Sequence, residues 1–110
     1  MNGIDFENGK VTIDTDGNFH TTGTVTAKKY TVDTSDPLSA SVGEATIPAG
    51  KTEIEINTSA VTNKSQIFTS PDEALDFSIG VIKKNPGKSF TAKIIKSLPD
   101  PIKFSWWIVN

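Results

Sequence analysis

No cysteine occurs among the 110 residues. Disulfides, a thiol nucleophile and thiolate metal sites are excluded with it. Histidine is almost absent too, with His20 standing alone. Without a second His or any Cys, a transition metal would find few ligands. No apolar run approaches the ~20 residues that a membrane-spanning helix needs, so no membrane insertion is expected. Charge of one sign is also lacking. Eleven Lys and Arg stand against 13 Asp and Glu, a formal net charge of -2, and the pI is about 5.3. With no basic stripe, no nucleic-acid partner is expected. The opening Met1-Asn2-Gly3-Ile4-Asp5 is neither basic nor apolar and does not read as a signal peptide.

Thr and Ser are abundant, with 24 residues between them. Thr is β-branched and favours strands, while Gly, Pro, Asn and Asp interrupt the chain at short intervals. Nothing has the period of a long amphipathic helix. The composition predicts an all-β protein.

A short phrase occurs twice. "KVTIDTD" runs from Lys10 to Asp16, and "KYTVDTS" from Lys29 to Ser35. In the first, Val11 and Ile13 alternate with Thr12 and Asp14, and "DTDGN" then predicts a turn with Gly17 at a position tolerant of positive φ. Phe19 opens a second short strand that Gly23 breaks. "TVTAKKYTVDT" alternates again through Val25, Ala27, Tyr30 and Val32, with a parity slip at Lys28-Lys29 that predicts a bend or bulge. Each repeat carries one narrow apolar row that cannot bury itself, and such units are stabilised by stacking on neighbours. Three identical chains around one axis would bury all three rows. A homotrimeric β-stalk over residues 1–36 is therefore expected, with Val11, Ile13, Tyr30 and Val32 at the interface. Chance similarity of two Thr-rich strands is the alternative.

Asp36-Pro37 marks a turn and a change in character. Residues 37–110 hold both tryptophans and most of the Ile and Phe. "EATIP", "TEIEIN", "SQIFT", "LDFSIGVI", "FTAKIIKS" and "IKFSWWIV" read as strands. "AGK", "KNPGKS" and "LPDP" read as turns. Ile54 and Ile56 are expected inward, Glu53 and Glu55 outward. Ser70-Pro71-Asp72-Glu73 has the form of a capping box, which predicts one helical turn. Six strands at roughly ten-residue spacing predict a small sandwich or barrel, and a β-sandwich of about six to eight strands is expected.

Candidate chemistry is sparse. Asp14, Asp16 and Asn18 around Gly17 have the form of part of a calcium loop but lack the later bidentate Glu; a polar β-turn accounts for them equally. His20 reads as an exposed strand residue, and no nucleophile elbow surrounds any Ser. Glu53 with Glu55, and Asp72 with Glu73, are carboxylate pairs of the kind a glycosidase uses, yet one pair belongs to a strand's solvated face and the other to a helix start. "NPGKS" lacks the first Gly and the spacing of a phosphate loop. No enzyme activity, catalytic residue, cofactor or metal is expected. The informative residues lie in the last strand. Ile102, Phe104, Trp106 and Ile108 share one face, while Trp107 and Val109 take the other. An outward Trp marks contact with a partner. A sister subunit, a stacked carbohydrate or covering loops would each account for it, and Trp107 and Val109 join the expected trimer interface.

"ASVGEATIPAGKTEIEINTSAVTNKSQIF", "NPGKSFTAKI" and the terminal "FSWWIVN" resemble a C-terminal module of secreted, fibre-like bacterial surface proteins, over residues 39–110. "DGNFHTTGTVTAKKY" resembles the shaft segments of trimeric phage tail fibres, over residues 8–34. The chain departs from the module between Thr69 and Lys83, where a Gly-rich turn and an aromatic strand are usual. The resemblance implies a non-enzymatic terminal module, extracellular, on a cell surface or on a virion, and part of a longer chain. By the same resemblance it would act by capping and trimerisation. The alternative is a recognition module that binds cell-surface glycan through an exposed aromatic.

Overall fold

The computed structural model describes residues 3–6, as backbone, and 8–110. The described chain is all-β, with no helix, and divides into two compact units, Met1–Thr31 and Val32–Asn110.

The first unit holds a three-stranded antiparallel meander in the order β1 (Gly3–Phe6), β2 (Val11–Asp14), β3 (Phe19–Thr21). Asn8 and Gly9, both at positive φ, lie in the turn between β1 and β2. Asn-Gly is a preferred hairpin pair because both residues tolerate that backbone region. Gly17, at φ 83°, serves the second turn. Ile13 pairs with Phe19, and Val11 with Thr21.

The second unit is a small β-sandwich of two three-stranded antiparallel sheets. One has the order β4 (Val42–Ile47), β9 (Ile102–Val109), β6 (Gln66–Pro71). The other has the order β5 (Glu53–Asn57), β8 (Ser89–Lys93), β7 (Gly80–Asn85). Alternation decides which faces meet. Ile102, Phe104, Trp106 and Ile108 of β9 are buried, and so are Phe90 and Ala92 of β8. Ile47, Ile56, Val61, Ile79 and Ile94 complete the core. Phe90 and Trp106 meet edge to face, ring centroids 5.2 Å apart, the arrangement favoured by the ring quadrupoles. Each fully buried large side chain stabilises the fold by roughly 1.5–3 kcal/mol. The loop after β5 is tied in by polar contacts: Thr58 Oγ1 donates to Ala40 O at 2.6 Å, and Asn110 Nδ2 donates to Ala60 O at 3.0 Å.

Four local expectations fail. Ser70–Glu73 is not a helical turn. Ser70 and Pro71 continue β6, opposite Ser105 and Phe104, and the Asp72 amide donates to Lys103 O at 2.9 Å. Pairing with β9 outweighs the local capping signal. Leu75–Ile79 is irregular, and β7 starts only at Gly80. "FTAKIIKS" is a strand only to Lys93; Ile94 is buried and Ile95 points outward. The largest departure is the second repeat. Residues 24–34 form no strand, although the chain does bend at Lys28.

Candidate functional site

The outer face of the β4–β9–β6 sheet carries a pair of stacked, exposed aromatic rings. Outward residues of β9 are Lys103, Ser105, Trp107 and Val109. Register sets their neighbours: Trp107 lies opposite Val42 on β4 and Phe68 on β6. Val42, Trp107 and Phe68 therefore form one apolar row across all three strands, with Val109 two residues further along β9. The Trp107 and Phe68 rings stack, centroids 5.4 Å apart and planes at 18°. Both stay in water, Trp107 40% exposed and Phe68 43%. No loop of the described chain covers them. At the other end of β9, Lys103 Nζ lies 3.5 Å from Glu44 Oε2, an exposed pair of small energetic weight. The sheet thus presents an apolar end and a charged end.

The other expected interface residues fall elsewhere. Val11 and Ile13 are half-buried on β2. Tyr30 and Val32 are exposed in the extended segment, where the Tyr30 hydroxyl donates to Val25 O at 3.3 Å. Trp107 and Val109 are brought together on the one sheet face. Phe68 and Val42, which complete that face, were not singled out from sequence; their parity was readable, but not the register that sets them beside Trp107.

No family model, curated protein or solved structure matches this chain. Function has to be read from the residues themselves. No helix among the described residues is long and apolar enough to cross a membrane.

The Asp14 turn is an internally satisfied structure. Asp14 Oδ1 accepts from the Asp16 and Asn18 amides, both at 2.9 Å, and Oδ2 accepts from Asn18 Nδ2 at 3.0 Å. The Asn18 amide, then its side chain, holds the Asp14 carboxyl below its ordinary 3.8, because hydrogen bonds to the charged form favour it. Among the described residues no cluster of three or more acidic or His side chains is placed to hold a metal ion. Since the folded-state value is the lower one, this contribution is present above pH 3.8 and is lost as pH falls through the depressed value. We expect amide protection in the β2–β3 hairpin to fall with acidification below pH 3.8 in the native chain. Asp14→Asn should remove that pH dependence, as read by hydrogen exchange. Persistence of the same acid transition in Asp14→Asn would assign it to another group.

Proposed function

We propose that the chain is a non-enzymatic structural module that self-associates as a homotrimer and caps the end of an extracellular or virion fibre. One observation carries this reading. Residues 24–34 have the period-2 pattern of a strand, but among the described residues they make no backbone–backbone hydrogen bond. Val25, Tyr30 and Val32 of that segment are exposed, at 50%, 74% and 44%. A β-patterned stretch without a partner strand among the described residues would be completed by strands from other copies, which would pair its backbone and cover its apolar row. The row of Val42, Trp107 and Phe68 gives the second unit a face of matching character. In an obligate oligomer of this kind, stability depends on protomer concentration.

Light scattering in dilute solution should give three times the 11.8 kDa of one chain. A monomer at micromolar concentration would remove this reading. The exposed Trp107–Phe68 stack favours a second one, a glycan platform, because sugar rings pack on aromatic faces. A glycan array distinguishes the two: binding by a monomeric chain supports the platform, and no binding by a trimer supports the cap.

A further inference from the structure

Trp106 is buried to 3% exposure, yet its indole Nε1–H, fully buried, has no hydrogen-bond partner among the described residues. Leaving a buried donor unpaired costs roughly 1–3 kcal/mol, so such a group calls for an explanation. The indole edge that carries Nε1 lies over Gly43, its cross-strand partner on β4. A Cβ there would sit 2.6 Å from Cζ2 and 3.1 Å from Nε1. Trp106 and Gly43 line a cavity of about 460 Å³, within the range of small-molecule sites. It lies inside the second unit, among β4, β5, β9 and the strap that contains Thr34 and Pro37. The strap is anchored just beyond the cavity, where Ser59 N donates to Leu38 O at 2.7 Å and Thr58 Oγ1 to Ala40 O.

The lining defines the chemistry. Glu44 is the charged residue of the lining, and Lys103 Nζ lies 3.5 Å from its carboxylate, so the wall carries little uncompensated charge. Asn57, Ser105 and Thr34 supply neutral donors and acceptors, and Pro37, Val42 and Ile56 supply an apolar wall. Trp106 contributes an unpaired N–H donor, which suits a hydrogen bond. We propose that this cavity binds a neutral secondary amide. The amide carbonyl accepts from Trp106 Nε1–H as the strap yields. The amide N–H donates to Asn57 Oδ1, and a small apolar group rests on Pro37 and Ile56. That chemistry has two sources, the acetamido group of an N-acetylhexosamine or a peptide bond. The inference is independent of the trimer reading.

Two tryptophans give two indole N–H signals, so NMR on ¹⁵N-labelled protein reads the site directly. The probes are N-acetylglucosamine, glucose as the sugar without an amide, and a blocked alanine (N-acetyl, N-methylamide). We expect a saturable downfield shift of the Trp106 signal in the millimolar range, with the Trp107 signal unmoved. Response to the acetylated sugar alone assigns a glycan source, and response to the blocked alanine assigns a peptide source. Trp106→Phe keeps a ring but loses the donor and should weaken binding about tenfold. Asn57→Ala, at an exposed strand position, should also weaken it without changing the circular dichroism. An equal response to glucose overturns amide recognition. No saturable shift with any probe means the cavity holds only solvent, and the proposal fails.

Discussion

Gly43→Ala is expected to destabilise the second unit by about 3 kcal/mol, the upper part of the usual overpacking range, although it adds a single methyl group. Gly43 is not among the residues at positive φ, so the need for glycine is not conformational. It comes from close approach. The added Cβ would meet Trp106 Cζ2 at 2.6 Å, Cε2 at 2.9 Å and Nε1 at 3.1 Å, so the indole must shift to admit it. One neighbour of the indole is the Phe90 ring, itself fully buried. Either the indole leaves its rotamer or β4 moves away from β9. For a unit of this size the melting temperature should fall by roughly 12–24 °C, at 4–8 °C per kcal/mol. Trp106→Phe removes the atoms that clash, so the double variant should recover much of the loss caused by Gly43→Ala in a Trp106→Phe background. A double-mutant cycle reads that coupling. Additive losses would mean that the two residues do not compete for the same space.

The Gly43–Trp106 contact also marks the limit of what sequence reading reaches. The inward row of β9 was legible because eight residues alternate without interruption, and alternation alone separates Phe104 and Trp106 from Trp107 and Val109. β5 was legible for the same reason. Which residue of β4 faces Trp106 depends on strand pairing across most of the unit's length, and no local pattern carries it. The same holds for Phe68 beside Trp107. At Ser70-Pro71 the local signal was present but overridden, since pairing with β9 satisfies the backbone that a helix cap would have served. β1 was missed although Asn8-Gly9 announced a hairpin; its strand is short, and only the turn distinguishes it. The segment 24–34 differs from all of these. Its period-2 pattern is that of a strand, yet no strand forms there among the described residues; alternation alone does not supply a pairing partner.

Trp107→Ala is expected to abolish association while leaving each chain's sandwich folded. Trp107 stands at the centre of the Val42–Trp107–Phe68 row, so its removal opens the middle of the proposed interface. Within one chain the loss is modest. The side chain is already 40% exposed, and its stack on Phe68 is worth about 0.5–1.5 kcal/mol beyond area burial. Across an assembled interface the remaining indole surface is buried as well, and truncating a fully buried Trp costs about 3–5 kcal/mol, repeated in each of three chains. The two losses separate by concentration. Wild type should melt higher as protomer concentration rises, because unfolding is then coupled to dissociation. Trp107→Ala should melt at one temperature at all concentrations, scatter light as a monomer and keep the far-UV spectrum of a β protein. Trp106→Ala is the contrasting case: it removes core packing from every chain and should lower stability at any concentration. If Trp107→Ala keeps the oligomeric mass and melts like wild type, the aromatic row does not hold the chains together. The exposed stack is then free for a sugar, and the glycan platform becomes the stronger reading of that face.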